Sequence, residues 1–253
     1  MDGPKVKFTW AVTGISAQQT ISFVVLQNVI LTTLTIGLFL GGVFVARRFF
    51  GKGFGYSLAP LGLSRPRSGF FVGAATGLVV GFGALLLSFP INLASASLLD
   101  QFGYSTASRV QGPFMEGLKG WIRESPGLAI PAIVLVVVIF GPAVEELVFR
   151  GAVFNGLYRL GMLASASNES KRFKSIVDKV SFVAAALVSS AVFALLHLEP
   201  VLLVALLILA VALCTLFRRT GSLLPSFVAH ATFNSFATLL IILSGLGVFK
   251  IPV

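Results

Sequence analysis

Six side chains able to do chemistry stand in apolar surroundings: Glu145, Glu146, Arg150, His197, His230 and Asn234. The first three fall in one stretch, Phe140-Gly141-Pro142-Ala143-Val144-Glu145-Glu146-Leu147-Val148-Phe149-Arg150-Gly151, and both histidines of the chain belong to the set. An ionisable group at membrane depth costs about 2.5–3.5 kcal/mol even on a lenient insertion scale, so such groups are candidates for function. Their types suit the hydrolysis of an amide. A carboxylate in an apolar site can act as a general base towards water, and a neighbouring imidazole can hold that water or help deprotonate it. A second imidazole with an amide N–H can stabilise the oxyanion of a tetrahedral intermediate.

Spacing refines these parts. Glu146 and Arg150 are four residues apart, share a helix face and can pair. Glu145 then lies about 100° round the helix, free to face a cavity. His230 and Asn234 are also four apart, and Phe193 sits one turn below His197. The competing structural readings are an ion pair that merely locks two helices, an interfacial histidine beside Glu199-Pro200, and a polar helix–helix contact at His230 and Asn234.

The elements that must position these residues are membrane helices. The 253 residues are 56% hydrophobic and 11% charged, against about 25% charged in soluble domains. The fold class is therefore an all-α polytopic transmembrane bundle. Candidate spans of about 20 apolar residues are 20–46, 69–89 (closed by Pro90), 128–160, 180–198, 201–217 and 223–243. Gly73, Gly77, Gly81 and Gly83 give the second span a small-residue face suited to close packing. Asn92 to Gly127 reads as a polar connection of zero net charge, in which 114–121 forms a short interfacial helix with Trp121 at the headgroups. Residues 164–179 read as a basic loop. Breaking the 128–160 segment at Gly141-Pro142 would give a seventh span, but it would send that basic loop to the opposite side. Six spans keep all basic clusters together, and the excess of positive charge (+10) then marks loops facing the cytoplasm of a multi-pass cell-membrane protein rather than a nucleic-acid surface. Gly141-Pro142 becomes a kink that aims Glu145, needed to bring His197 and His230 to its level.

Several features carry less. Met1 to Trp10 shows no signal peptide, the lone Cys214 is inert packing, and Gly51-x-Gly53-x-Gly55 lacks the context of a nucleotide site.

Glu145-Glu146-x-x-x-Arg150, Phe193-x-x-x-His197 and His230-x-x-x-Asn234, in this order on hydrophobic helices, resemble the CPBP family. This family holds the CAAX prenyl proteases and bacteriocin-processing or immunity (Abi) proteins. The resemblance covers about Pro131 to Leu243, so the chain divides into N-terminal membrane helices with their polar connection (1–126) and a CPBP-like catalytic core (127–253). It implies an intramembrane endopeptidase acting on a membrane-associated or lipidated peptide. By the same resemblance, Glu145 is the general base with His197 as its partner, and His230 and Asn234 are the oxyanion pair. Glu146 and Arg150 hold the helix or orient the substrate. Hydrolysis without a metal is the expectation. The alternative is zinc held by Glu145, His197 and His230, which suit it by ligand type, although no His-Glu-x-x-His helix is present. The rival functions are a catalytically silent scaffold or immunity protein and a proton-coupled transporter. All motif residues are present, against the first, and no repeat symmetry is visible, against the second.

Overall fold

The computed structural model describes residues 17–50, 58–108, 111–165 and 169–249. The expectations for Met1 to Trp10 and for the Gly51-x-Gly53-x-Gly55 run fall outside these. Among the described residues there are helices and no strands, and six helices are long and apolar enough to cross a membrane. They are α1 (Ala17–Phe50), α2 (Phe70–Gln101), α4 (Pro126–Ser165), α5 (Lys171–Leu196), α6 (Leu203–Thr220) and α7 (Leu223–Gly245). A shorter helix, α3 (Gln111–Glu124), precedes α4. The chain is a polytopic helical bundle.

Three boundaries correct the sequence reading. α2 runs through Pro90 to Gln101 instead of stopping there; one proline removes one hydrogen bond, and the helix resumes behind it. α5 starts at Lys171, so most of the expected basic loop is helix. The Ser170 side chain caps it by accepting from the Phe173 N–H, and straight-chain lysines and arginines are good helix formers once outside the bilayer. α3 is longer than foreseen, and Trp121 is buried in a core with Ile21, Leu118, Ile122, Ile133 and Ile241 rather than placed among headgroups.

The glycine face of α2 fixes the helix that carries His230. A Cβ on Gly77 would lie 2.5 Å from the Pro225 carbonyl oxygen, and one on Gly81 would lie 2.6 Å from that of Ala229. Only glycine permits so close an approach. Gly83 faces open space and takes no part in this seam.

The alternative break at Gly141-Pro142, which would have made a seventh span, is absent. Phe140 (φ −70°, ψ −47°) and Gly141 (φ −55°, ψ −59°) keep helical dihedrals, and α4 continues through them. What marks the region is a change of pitch: Val134–Phe140 and Leu147–Phe154 are π-helical, flanking the turn that bears Glu145 and Glu146. The Gly141 N–H bonds back five residues to the Val136 carbonyl. Such widened turns inside α-helices are frequently found at functional sites.

Candidate active site

Glu146 is the hub. Its side chain and that of Arg150 are both fully buried, and Arg150 Nη1 donates to Glu146 Oε1 at 2.9 Å. The same oxygen accepts from His230 Nδ1, also at 2.9 Å. A carboxylate oxygen only accepts, so Nδ1 carries the proton, and the tautomer of His230 is set by Glu146. Arg150 lies over the Phe193 ring, 4.6 Å from its centroid, and makes a long contact of 3.5 Å to the Ala210 carbonyl on α6. The i,i+4 pair foreseen from spacing thus exists, and α4, α5, α6 and α7 all contribute to its shell.

Glu145 has a different environment. Its side chain is one-third exposed, and Oε2 lies 3.6 Å from His230 Nε2. That oxygen is itself shielded and has no hydrogen-bond partner within the protein. A separation of this length between two polar atoms is one that a water molecule can bridge. His230 therefore stands between the two adjacent glutamates, Nδ1 bonded to Glu146 and Nε2 facing Glu145 across a water-sized separation.

His197 takes a different place from the one expected. Its Nδ1 donates to the Phe193 carbonyl at 2.8 Å, and its ring packs on Phe193 with centroids 4.7 Å apart. Phe193 in turn meets the His230 ring edge-on at 5.6 Å. The structure brings His230, not His197, to Glu145; His197 stands one aromatic ring away. The reason is the end of α5: His197 terminates the helix, so its ring nitrogen folds back on the last turn.

Asn234 does not pair with His230 despite their shared spacing. Its amide donates to the Val137 carbonyl at 3.2 Å, in the first π-helical turn of α4. Ser189 similarly donates to the Phe149 carbonyl in the second, at 2.9 Å. Each π stretch is thus held by a polar side chain from a neighbouring helix, which also satisfies part of the irregular backbone.

Glu199 was not foreseen as important. It is buried, and its Oε1 accepts from the Ser108 hydroxyl (2.6 Å) and from the Gln111 N–H (2.9 Å) at the start of α3. A carboxylate there complements the helix N-terminus. Between His197 and Glu199, Leu198 adopts a left-handed conformation (φ 54°), unfavourable for a bulky residue. The Glu199 anchor holds that turn and with it the end of α5. The acidic residue in an otherwise apolar segment was the available signal.

Among the described residues, no three His, Cys, Asp or Glu side chains gather as a metal-holding group. Each histidine has Nδ1 engaged, His197 on the Phe193 carbonyl and His230 on Glu146, and keeps Nε2 for another contact.

Comparison with known proteins bears on the same stretch. Residues 127–236 match the family model described as Type II CAAX prenyl endopeptidase Rce1-like. The CPBP resemblance therefore holds. All six candidate residues lie inside the matched span. A protein of Bacillus subtilis (strain 168) named "Putative membrane peptidase YdiL" is 26% identical over 112 residues, covering 44% of this chain and 38% of that relative's length. No solved structure matches the chain.

Proposed function

We propose that this protein is an intramembrane peptidase that hydrolyses a peptide bond in a membrane-associated or lipidated peptide, with the basic end of the bundle in the cytoplasm. The observation that carries the reading is the division of labour between adjacent glutamates. Glu146 is fully buried, with Arg150 and His230 both on its Oε1, whereas Glu145 is one-third exposed and holds an oxygen with no partner in the protein 3.6 Å from His230 Nε2, where water can reach it. A merely structural ion pair accounts for the first glutamate and not for the second. The match to an Rce1-like family model and the name of the Bacillus subtilis relative support a peptidase rather than a transporter.

In this reading Glu145 and the unprotonated Nε2 of His230 flank the attacking water. Glu145 takes a proton as the water oxygen bonds to the scissile carbonyl carbon. Asn234, which uses one amide N–H on Val137, offers the other to the oxyanion. As the C–N bond breaks, Glu145 returns the proton to the leaving amine. Glu146 and Arg150 act on His230 by fixing its tautomer and orientation, in the way a buried carboxylate orients a catalytic imidazole. His197 packs on Phe193, whose ring meets that of His230, and so acts on His230 through that ring.

The test is cleavage of a farnesylated or otherwise lipid-anchored peptide by the purified protein in detergent, with and without a strong zinc chelator. Turnover unchanged by the chelator is expected. Loss of turnover on chelation, restored by added zinc, would contradict the metal-free mechanism.

A further inference from the structure

At the end of the bundle opposite α3, three chain segments distant in sequence enclose a cavity of 760 Å³. Its wall includes four arginines, Arg65, Arg67, Arg159 and Arg218, and no acidic residue, with the aromatic rings of Phe154, Tyr158 and Phe217 beside them. Its size lies in the range of small-molecule sites. This is a built concavity rather than a scatter of surface charge. The connection between α1 and α2 is pinned to the turn between α6 and α7 by Arg67 N–H to the Thr220 carbonyl (3.1 Å), Leu223 N–H to the Gly62 carbonyl (3.0 Å) and the Ser222 hydroxyl to the Ser64 carbonyl (2.6 Å). Gly62 and Gly221, both at positive φ, permit that close approach.

The four cations are not equivalent. Arg218 is neutralised by Asp178 and stacks on Phe182, 4.4 Å from the ring centroid. Arg159 Nε donates to Asn155 Oδ1 at 3.1 Å. Arg65 and Arg67 are exposed, and among the described residues neither has an ion-pair partner. Two unneutralised guanidiniums at the mouth of a polar cavity are suited to forked recognition of a phosphate.

A second feature says what else the ligand carries. An apolar groove of 420 Å³ runs between α1 and α4, lined by Leu38, Phe39, Val148, Ala152 and Val153 among others, and it shares Pro60, Asn155 and Arg159 with the basic cavity. The two are therefore contiguous, a cationic pocket opening onto an apolar channel along the membrane helices. Gly156 lines the groove, and a Cβ there would meet nothing.

We propose that this composite site binds one anionic phospholipid, its headgroup phosphate on Arg65 and Arg67 and an acyl chain in the α1–α4 groove. Basic pockets between membrane helices are suited to such headgroups. The binding would brace the segment Leu147–Phe154 of α4 from the side opposite the ion pair, since Gly151 and Ala152 line the groove.

The experiment uses the full-length protein in detergent. Unfolding temperature and native mass spectrometry are recorded with phosphatidylglycerol, phosphatidylcholine or glycerol phosphate added. Phosphatidylglycerol is expected to raise the unfolding temperature of the wild type by about 4 °C or more and to appear as one retained lipid, with no such effect from the other two. The double variant Arg65→Gln/Arg67→Gln should lose the effect, and Gly156→Leu should weaken it by filling the groove. Arg172→Gln/Lys174→Gln, which removes equal charge outside the cavity, should keep it. An equal effect of phosphatidylcholine, or equal loss in the Arg172/Lys174 control, would overturn the proposal in favour of general surface association. An equal effect of glycerol phosphate, insensitive to Gly156→Leu, would reduce the site to a phosphate pocket and overturn the lipid.

Discussion

Two carboxylate–arginine ion pairs, one between helices and one within α4, differ in how far they are buried in this bundle. At the basic end, Asp178 of α5 pairs with Arg218 of α6 and also accepts from Tyr158, with 31% and 30% of the two charged side chains exposed. In the middle, Glu146 pairs with Arg150 with 0% exposed on either side. The comparison teaches that an ion pair is not in itself a sign of function. The outer pair has all it needs: solvent, the rings of Tyr158 and Phe182 against Arg218, and the Tyr158 hydroxyl on Asp178. The inner pair draws in a histidine, and that histidine turns its second nitrogen to a glutamate with an unpartnered oxygen. Chemistry is read from this extra carboxylate, one-third exposed beside a pair that is closed to water.

The contrast can be broken by substitution. Removing one partner of a fully buried pair leaves an uncompensated charge, so Arg150→Ala should destabilise by about 3–5 kcal/mol. Asp178→Ala should cost no more than about 1 kcal/mol, because the half-exposed pair is screened by solvent. Unfolding in a mixed-detergent titration reads both, and equal losses would remove the distinction between the sites. A loss of about 2.7–4 kcal/mol in turnover is expected of Asn234→Ala through its second amide N–H, beside a smaller loss of stability from its bond to the Val137 carbonyl. A fall in KM-dependent binding with kcat intact would instead make Asn234 a substrate contact. Smaller still is the α2 seam. Gly81→Ala places a Cβ 2.6 Å from the Ala229 carbonyl oxygen and should shift α7, costing about 1–3 kcal/mol of stability and lowering activity through His230. Gly83→Ala meets nothing and should be neutral or stabilising by up to about 1 kcal/mol, as thermal unfolding would show.

Much of this arrangement was legible in the chain. The apolar runs gave six spans, and i,i+4 spacing gave the Glu146–Arg150 pair, because both depend only on local periodicity. The glycine face of α2 was visible too, although the inclusion of Gly83 could not be corrected without knowing where α7 lies. The π turns of α4 had no sequence signature, since their hydrogen bonds are supported by Asn234 and Ser189 on other helices. Gly141-Pro142 was the visible irregularity of this segment, whereas the widened pitch on either side of it was not. Which imidazole stands nearer to Glu145 was not legible, because spacing along a chain does not say which of two histidines on different helices comes closer. The basic cavity was invisible for the same reason, its arginines coming from residues 65, 67, 159 and 218.

The central claim is that Glu145, not Glu146, activates the water. Glu145→Gln is nearly isosteric, at a position one-third exposed whose nearest described ionic contact is 3.6 Å away. Cleavage of a lipid-anchored peptide by this variant should fall by about 10²- to 10⁴-fold, while its unfolding temperature stays at the wild-type value. Wild-type turnover by Glu145→Gln would contradict the account.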